Sequence, residues 1–222
     1  MALIVLGYWA IRGLAQPVRL TLAAAGAKFT EELYHAGPGP EFAGDQWFSI
    51  KQNMPLDFPN LPYLYDGDVK ITQSIAILRY VGRKFGLDGK SEQEKTRIDL
   101  VEQQIVDWRN QQSIFYDPEF EKLVGDYKKG LPAKLDALAK FLGAKEYMSG
   151  GGLSYVDFLA YEWLDVNRLL VPGLLANHPT LEAFVKRIES IPNVKAYMES
   201  DRFMQWPVNY ETAVWGSKLS CS

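Results

Sequence analysis

The stretch ALIVLGYWAIRGLAQPVRLTLAAAGAKFTEELY, running from Ala2 to Tyr34, decides the fold. Ala2 to Tyr8 is an apolar run rich in Leu, Ile and Val, the pattern of a buried strand. Leu14 to Ala25 has helical spacing. Pro17 is tolerated near the first turn of such a helix, and Gly26 is its stop. Phe29 to Tyr34 reads as a second strand. Strand, helix, strand in this order predicts a parallel pair joined by a crossover.

Working outward, an irregular stretch follows. Then Pro62 to Tyr65 and Val69 to Ile71 flank Asp66-Gly67-Asp68. Asp-Gly between apolar runs is a hairpin signal. Gln73 to Phe85 is helical, with Ile77, Leu78, Tyr80 and Val81 on its apolar side and Gly86 closing it. The order β-α-β, then β-β-α, is the thioredoxin-like arrangement of four strands. After residue 86 strand signals largely vanish. Ser91-x-x-Glu94 and Ser154-x-x-Asp157 are capping boxes that open helices. The first helix is expected to reach Tyr116. A second should span Pro118 to Leu142 with an interruption at Gly130, and further helices are expected over Thr180 to Ser190 and Asn193 to Ser200. The expected architecture is an α/β domain over residues 1–86 followed by an all-α domain over 91–222.

Composition narrows the chemistry. The chain has 222 residues and a net charge of −3, so it lacks the basic excess that nucleic acid demands. Cys221 is the one cysteine and reads as an inert tail thiol; it excludes an internal disulfide or a C-x-x-C pair. His35 and His178 are the two histidines, too few for a zinc site, and no metal is expected. No run approaches a membrane span, and no targeting segment is evident, which points to the cytoplasm. Gly89-Lys90-Ser91 mimics the end of a phosphate loop, but Lys84 stands where its first glycine belongs. Aromatic residues reach 13%, and some could line a pocket instead of the core.

Two places could hold chemistry. Tyr8 falls near the C-terminal edge of the first strand, where open α/β sheets bind ligands. Gln73-Ser74 opens a helix whose free amides would hold a carboxylate. The residues alone leave a blander reading open: Tyr8 and Trp9 as core aromatics, Ser74 as a cap, and Pro62 as a strand start.

Longer motifs carry the reading further. Gly7-Tyr8-Trp9-x-Ile11-Arg12-Gly13-Leu14-Ala15-Gln16-Pro17-x-Arg19, Asp57-Phe58-Pro59-Asn60-Leu61-Pro62-Tyr63-Leu64 and Ile71-Thr72-Gln73-Ser74-x-Ala76-Ile77-Leu78 resemble the cytosolic glutathione S-transferases. Tyr116-Asp117-Pro118-Glu119-Phe120-Glu121-Lys122-Leu123, Ser154 to Leu159 and Ala213-Val214-Trp215-Gly216 resemble the mu class in particular. The resemblance implies conjugation of the glutathione thiolate to hydrophobic electrophiles, with glutathione as cosubstrate and no other cofactor. It implies Tyr8 as the catalytic tyrosine, donating its hydroxyl proton to the sulfur.

The remaining site residues are implied in the same way. Gln73 and Ser74 would hold the γ-glutamyl carboxylate. Asn60, Leu61 and Pro62 would pair with the tripeptide backbone, across a cis Leu61-Pro62 bond. Trp9, Trp47 and Lys51 would surround the glycyl end, with Leu14 also in contact. Asp107 would reach the glutamyl amine of the partner subunit's glutathione. Tyr116, Leu14, Val106 and Tyr210 would line the electrophile pocket. Phe58 and Arg79 would lie at a homodimer interface. One departure is Gly44, three positions before Trp47, where many mu-class members have arginine. The same fold could instead carry apolar ligands with little catalysis. A thioltransferase would need a cysteine where Tyr8 stands, and a structural lens or scaffold role leaves no mark in the sequence.

Overall fold

The computed structural model describes residues 3–217. Ala2 and Cys221 lie outside the described residues. Strand β1 (Ile4–Trp9) is followed by helix α1 (Gln16–Ala24), strand β2 (Phe29–Tyr34), helix α2 (Asp45–Lys51), strands β3 (Tyr63–Asp66) and β4 (Val69–Thr72), and helix α3 (Ser74–Lys84). The sheet order is β2-β1-β3-β4. β1 runs parallel to β2, with Tyr8 opposite Leu33, and antiparallel to β3. This is the thioredoxin-like sheet that the strand order predicts. Helix α2 falls in the stretch read as irregular. Trp47 is its one buried residue, so it lacks the apolar stripe that identifies a helix in sequence.

The rest is helical: α4 (Glu92–Asn110), a 3₁₀ segment (Gln111–Tyr116), α5 (Phe120–Leu142), α6 (Tyr155–Leu170), α7 (Pro179–Ser190) and α8 (Pro192–Met198). The helix expected to reach Tyr116 therefore ends at Asn110, and tighter 3₁₀ turns complete it. The interruption expected at Gly130 does not occur. Helix α5 runs through Gly130 and Pro132 because Val124, Tyr127, Leu131, Leu135, Leu138 and Leu142 are all buried along one side. That burial outweighs penalties of about 1 kcal/mol for the glycine and about 3 kcal/mol for the proline. Helix α6 is buried along almost its whole length and packs on both α1 and α4, placing the helical half against the sheet half.

Candidate active site

The site begins where β1 runs out. The turn from Ala10 to Ala15 is tied to the far end of the chain. Arg12 N donates to Pro207 O at 2.9 Å, and Gly13 N donates to Val208 O at 3.0 Å. Gly13 has φ +43, and a Cβ there would stand 2.6 Å from the Tyr8 hydroxyl oxygen. Only glycine allows this backbone to pass so close. The Leu14 amide consequently donates to the Tyr8 hydroxyl at 3.0 Å. Tyr8 is 6% exposed. Burial pushes its pKa up to about 12, with the Leu14 hydrogen bond and the nearby Arg19 and Arg109 charges pulling the other way. The hydroxyl oxygen accepts one hydrogen bond and keeps its proton free to give.

A cavity of about 440 Å³ opens beside it, lined by Tyr8, Leu14 and Tyr116 together with Arg109, Trp163 and Glu162, among others. The Tyr116 hydroxyl accepts from Tyr210 N at 3.1 Å, and burial raises its pKa as well. It too retains a proton to donate. Val106 and Tyr210 are not among the lining residues. Val106 is half-buried against the core. Tyr210 packs on Trp9 with ring centroids 4.8 Å apart, and its hydroxyl donates to Phe42 O at 2.8 Å.

The other expected ligand residues sit apart from this cavity. Gln73 precedes α3 with φ +71, a left-handed conformation costing a non-glycine residue about 1–3 kcal/mol. Such strain is retained where a site requires it. Ser74 follows as the first residue of α3 and offers that helix's free amides. Asn60 Oδ1 accepts from Leu61 N at 3.0 Å, and Leu61-Pro62 is cis, as the resemblance implied. Trp47 is 1% exposed, edge-on to Tyr34 and stacked on Tyr63. Lys51 ends α2, and Asp107 is exposed on α4. At Gly44 a Cβ would meet the Phe48 ring at 2.6 Å and the Trp9 ring at 2.8 Å. Aromatic rings thus occupy the space where a longer side chain would start.

Sequence reasoning missed a buried charged network that meets the cavity at Glu162. Buried Arg12 grips Glu162 through Nε (3.0 Å) and Nη2 (2.7 Å), and reaches Asp165 at 2.6 Å. Asp165 also binds Arg168 at 2.6 Å. The network joins the turn after β1 to α6. Arg109 and Trp163 also went unread as site residues, because neither belongs to a motif that points at a ligand. Among the described residues no cluster of potential metal ligands occurs, and no helix is long and apolar enough to cross a membrane.

Comparison with known proteins agrees with this fold. Residues 4–83 match the family model "Glutathione S-transferase, N-terminal domain", and residues 106–201 match "Glutathione S-transferase, C-terminal domain". The chain is 46% identical over 211 residues to glutathione S-transferase Mu 1 of Oryctolagus cuniculus, covering 95% of this chain and 97% of that one. It is 44% identical over 218 residues to glutathione S-transferase Mu 3 of Homo sapiens, covering 98% and 97% respectively. The crystal structure of the glutathione S-transferase Blo t 8 superposes with a TM-score of 0.87 at 33% identity, covering 96% of this chain and 99% of that one. With motifs and fold in agreement, the chain belongs to the glutathione S-transferase family, alongside its mu-class members.

Proposed function

We propose that this transferase joins glutathione to hydrophobic electrophiles for detoxification, with the Tyr8 hydroxyl stabilising the thiolate. One observation carries the reading. Tyr8 is buried at the cavity, is kept protonated by a pKa near 12, and has its oxygen already engaged by the Leu14 amide. Its O–H is therefore directed to a new acceptor. A free thiol with a pKa of about 8.5 is only roughly 3% ionised at pH 7. A hydrogen bond to the charged form lowers that pKa. A fall of about two units, or roughly 2.7 kcal/mol, makes the thiolate the main species.

The cosubstrate would lie along the edge from Gln73 to Trp9. The amides at Ser74 and the strained Gln73 take the γ-glutamyl carboxylate. Asn60, Leu61 and Pro62 face the tripeptide backbone, and Trp9, Trp47 and Lys51 face its glycyl end. With Gly44 in place of arginine, Lys51 and Trp47 carry more of that contact. The electrophile enters beside Leu14, where Tyr116 can donate to it. The glutathione-binding domain covers residues 1–86 and the helical domain 91–222. Phe58, 74% exposed, suits an anchor for a second copy of the chain, whose Asp107 would complete the site. Arg79, which would lie at the same interface, is held by Glu102 of its own chain, Nε to Oε2 at 2.9 Å. The cytoplasm is the natural compartment, because its reducing poise keeps the cosubstrate thiol free.

Purified protein incubated with glutathione and an aromatic halide should yield the thioether at a rate well above the uncatalysed one. Retained binding of apolar ligands with no conjugation of several electrophiles would instead make the chain a carrier.

A further inference from the structure

The glycyl end of the glutathione site is held in place from the far side of the sheet. Helix α2 carries Trp47 and Lys51 four residues apart, and so on one face. Trp47 is the one buried residue of that helix, so its ring is the seat of α2. The ring stacks on Tyr63 with centroids 6.1 Å apart and meets Tyr34 edge-on at 5.4 Å. Three strands bring these rings together. Gly7 of β1 stands opposite Glu32 of β2 on one side and Tyr63 of β3 on the other. A Cβ on Gly7 would lie 2.1 Å from the Tyr63 ring, so the missing side chain lets that ring cross β1. Its hydroxyl then reaches β2 and donates to Glu32 Oε2. The Tyr63 oxygen in turn accepts from Tyr34 at 2.9 Å. Burial, and after it the Glu32 carboxylate, raises the pKa of Tyr63 and keeps it a donor. Tyr63 and Tyr34 are buried, whereas Glu32 is exposed. The neighbouring Glu31 is spoken for, pairing with Arg19 at 2.6 Å.

One surface carboxylate thus ties down the two hydroxyls whose rings seat α2. Hydrogen bonds to an ionised acceptor are the strong ones. We propose that Glu32 is a positioning residue for the glycyl end of glutathione, fixing the Trp47 ring, and with it Lys51, through Tyr63 and Tyr34. This rests on the reading that Trp47 and Lys51 face the glycine. Lys51 is the one cation in α2, and Gly44 before the helix supplies none. A lone cation binds a carboxylate best when it is already held in place, because less freedom is lost on binding. Without Glu32 the buried Tyr63 proton loses its acceptor, and the rings under α2 must readjust.

The test compares two thiols with one aromatic halide. They are glutathione and γ-glutamylcysteine, which has the same thiol but no glycine. Wild type should prefer glutathione, read as the ratio of the two kcat/KM values. In Glu32→Leu that ratio should fall roughly tenfold, the scale of one lost hydrogen bond to a charged group. Glu32→Gln keeps an acceptor oxygen and should recover most of the ratio. Both thiols are measured in one preparation, so loss of folded enzyme cancels and a general structural fault lowers both rates alike. A ratio in Glu32→Leu within about twofold of wild type overturns the proposal, while the wild-type preference upholds the glycyl-end reading. Wild-type enzyme with no preference for glutathione overturns both.

Discussion

Tyr8 shows how one buried hydroxyl is fitted to its task. A tyrosine that ionised near neutral pH would put an anion beside the thiolate. Burial prevents this by disfavouring the charged form, and the Leu14 amide fills the acceptor side of the oxygen. The sign of the pH dependence follows. The reactive species is the deprotonated glutathione thiol, so kcat/KM should rise with pH through that thiol's lowered pKa and then level off. Tyr8, titrating near 12, is only about 0.1% ionised at pH 9. The plateau should therefore hold through pH 9 in a profile with a stable aromatic electrophile. A falling limb centred near pH 8 would mean that the donor ionises far earlier than its burial dictates.

Among the elements, α6 is anchored at its start by a single buried polar residue. Asp157 accepts from Ser154 N (2.8 Å), Ser154 Oγ (2.8 Å) and Met148 N (2.7 Å), all in the buried interior. Asp157→Ala leaves at least two buried amides without an acceptor. It should cost at least ~2 kcal/mol, read as a lower denaturation midpoint at unchanged slope. A shift under about 0.5 kcal/mol, the low end for losing any helix cap, would show that the box is not load-sharing with the core. The Ser154-x-x-Asp157 signal was legible because capping is local, and so was the Asp66-Gly67 hairpin turn. Helix α2 was not, because a helix with one buried residue leaves no periodic trace. Gly130 misled for the opposite reason: its local cost is real, but the buried stripe of α5 overrides it.

At the scale of the molecule, the cavity is made by residues distant in sequence. Tyr8 was legible through its motif at the end of β1. Arg109, Trp163 and the Arg12–Glu162 pair were not, because they meet only when α4 and α6 close over the turn after β1. The Arg12–Glu162 contact spans 150 positions. The outer surface also carries a message in Phe58, which exposes 74% of its area to no described partner surface. If it anchors a second copy, a native chain should sediment at twice 25.1 kDa, and Phe58→Ser should shift the population toward 25.1 kDa. Unchanged mass in that variant would place the interface elsewhere.

The most direct test is the thiol pKa of bound glutathione, followed by thiolate ultraviolet absorbance in wild type and in Tyr8→Phe. Removing the hydroxyl leaves the ring packed against Gly13 and takes from the Leu14 amide its one side-chain acceptor. Wild type should hold the thiol roughly two units below 8.5. Tyr8→Phe should bind glutathione with nearly the same affinity, return the thiol pKa toward about 8.5, and lose most turnover at neutral pH. An unchanged thiol pKa and unchanged turnover in Tyr8→Phe would contradict the account.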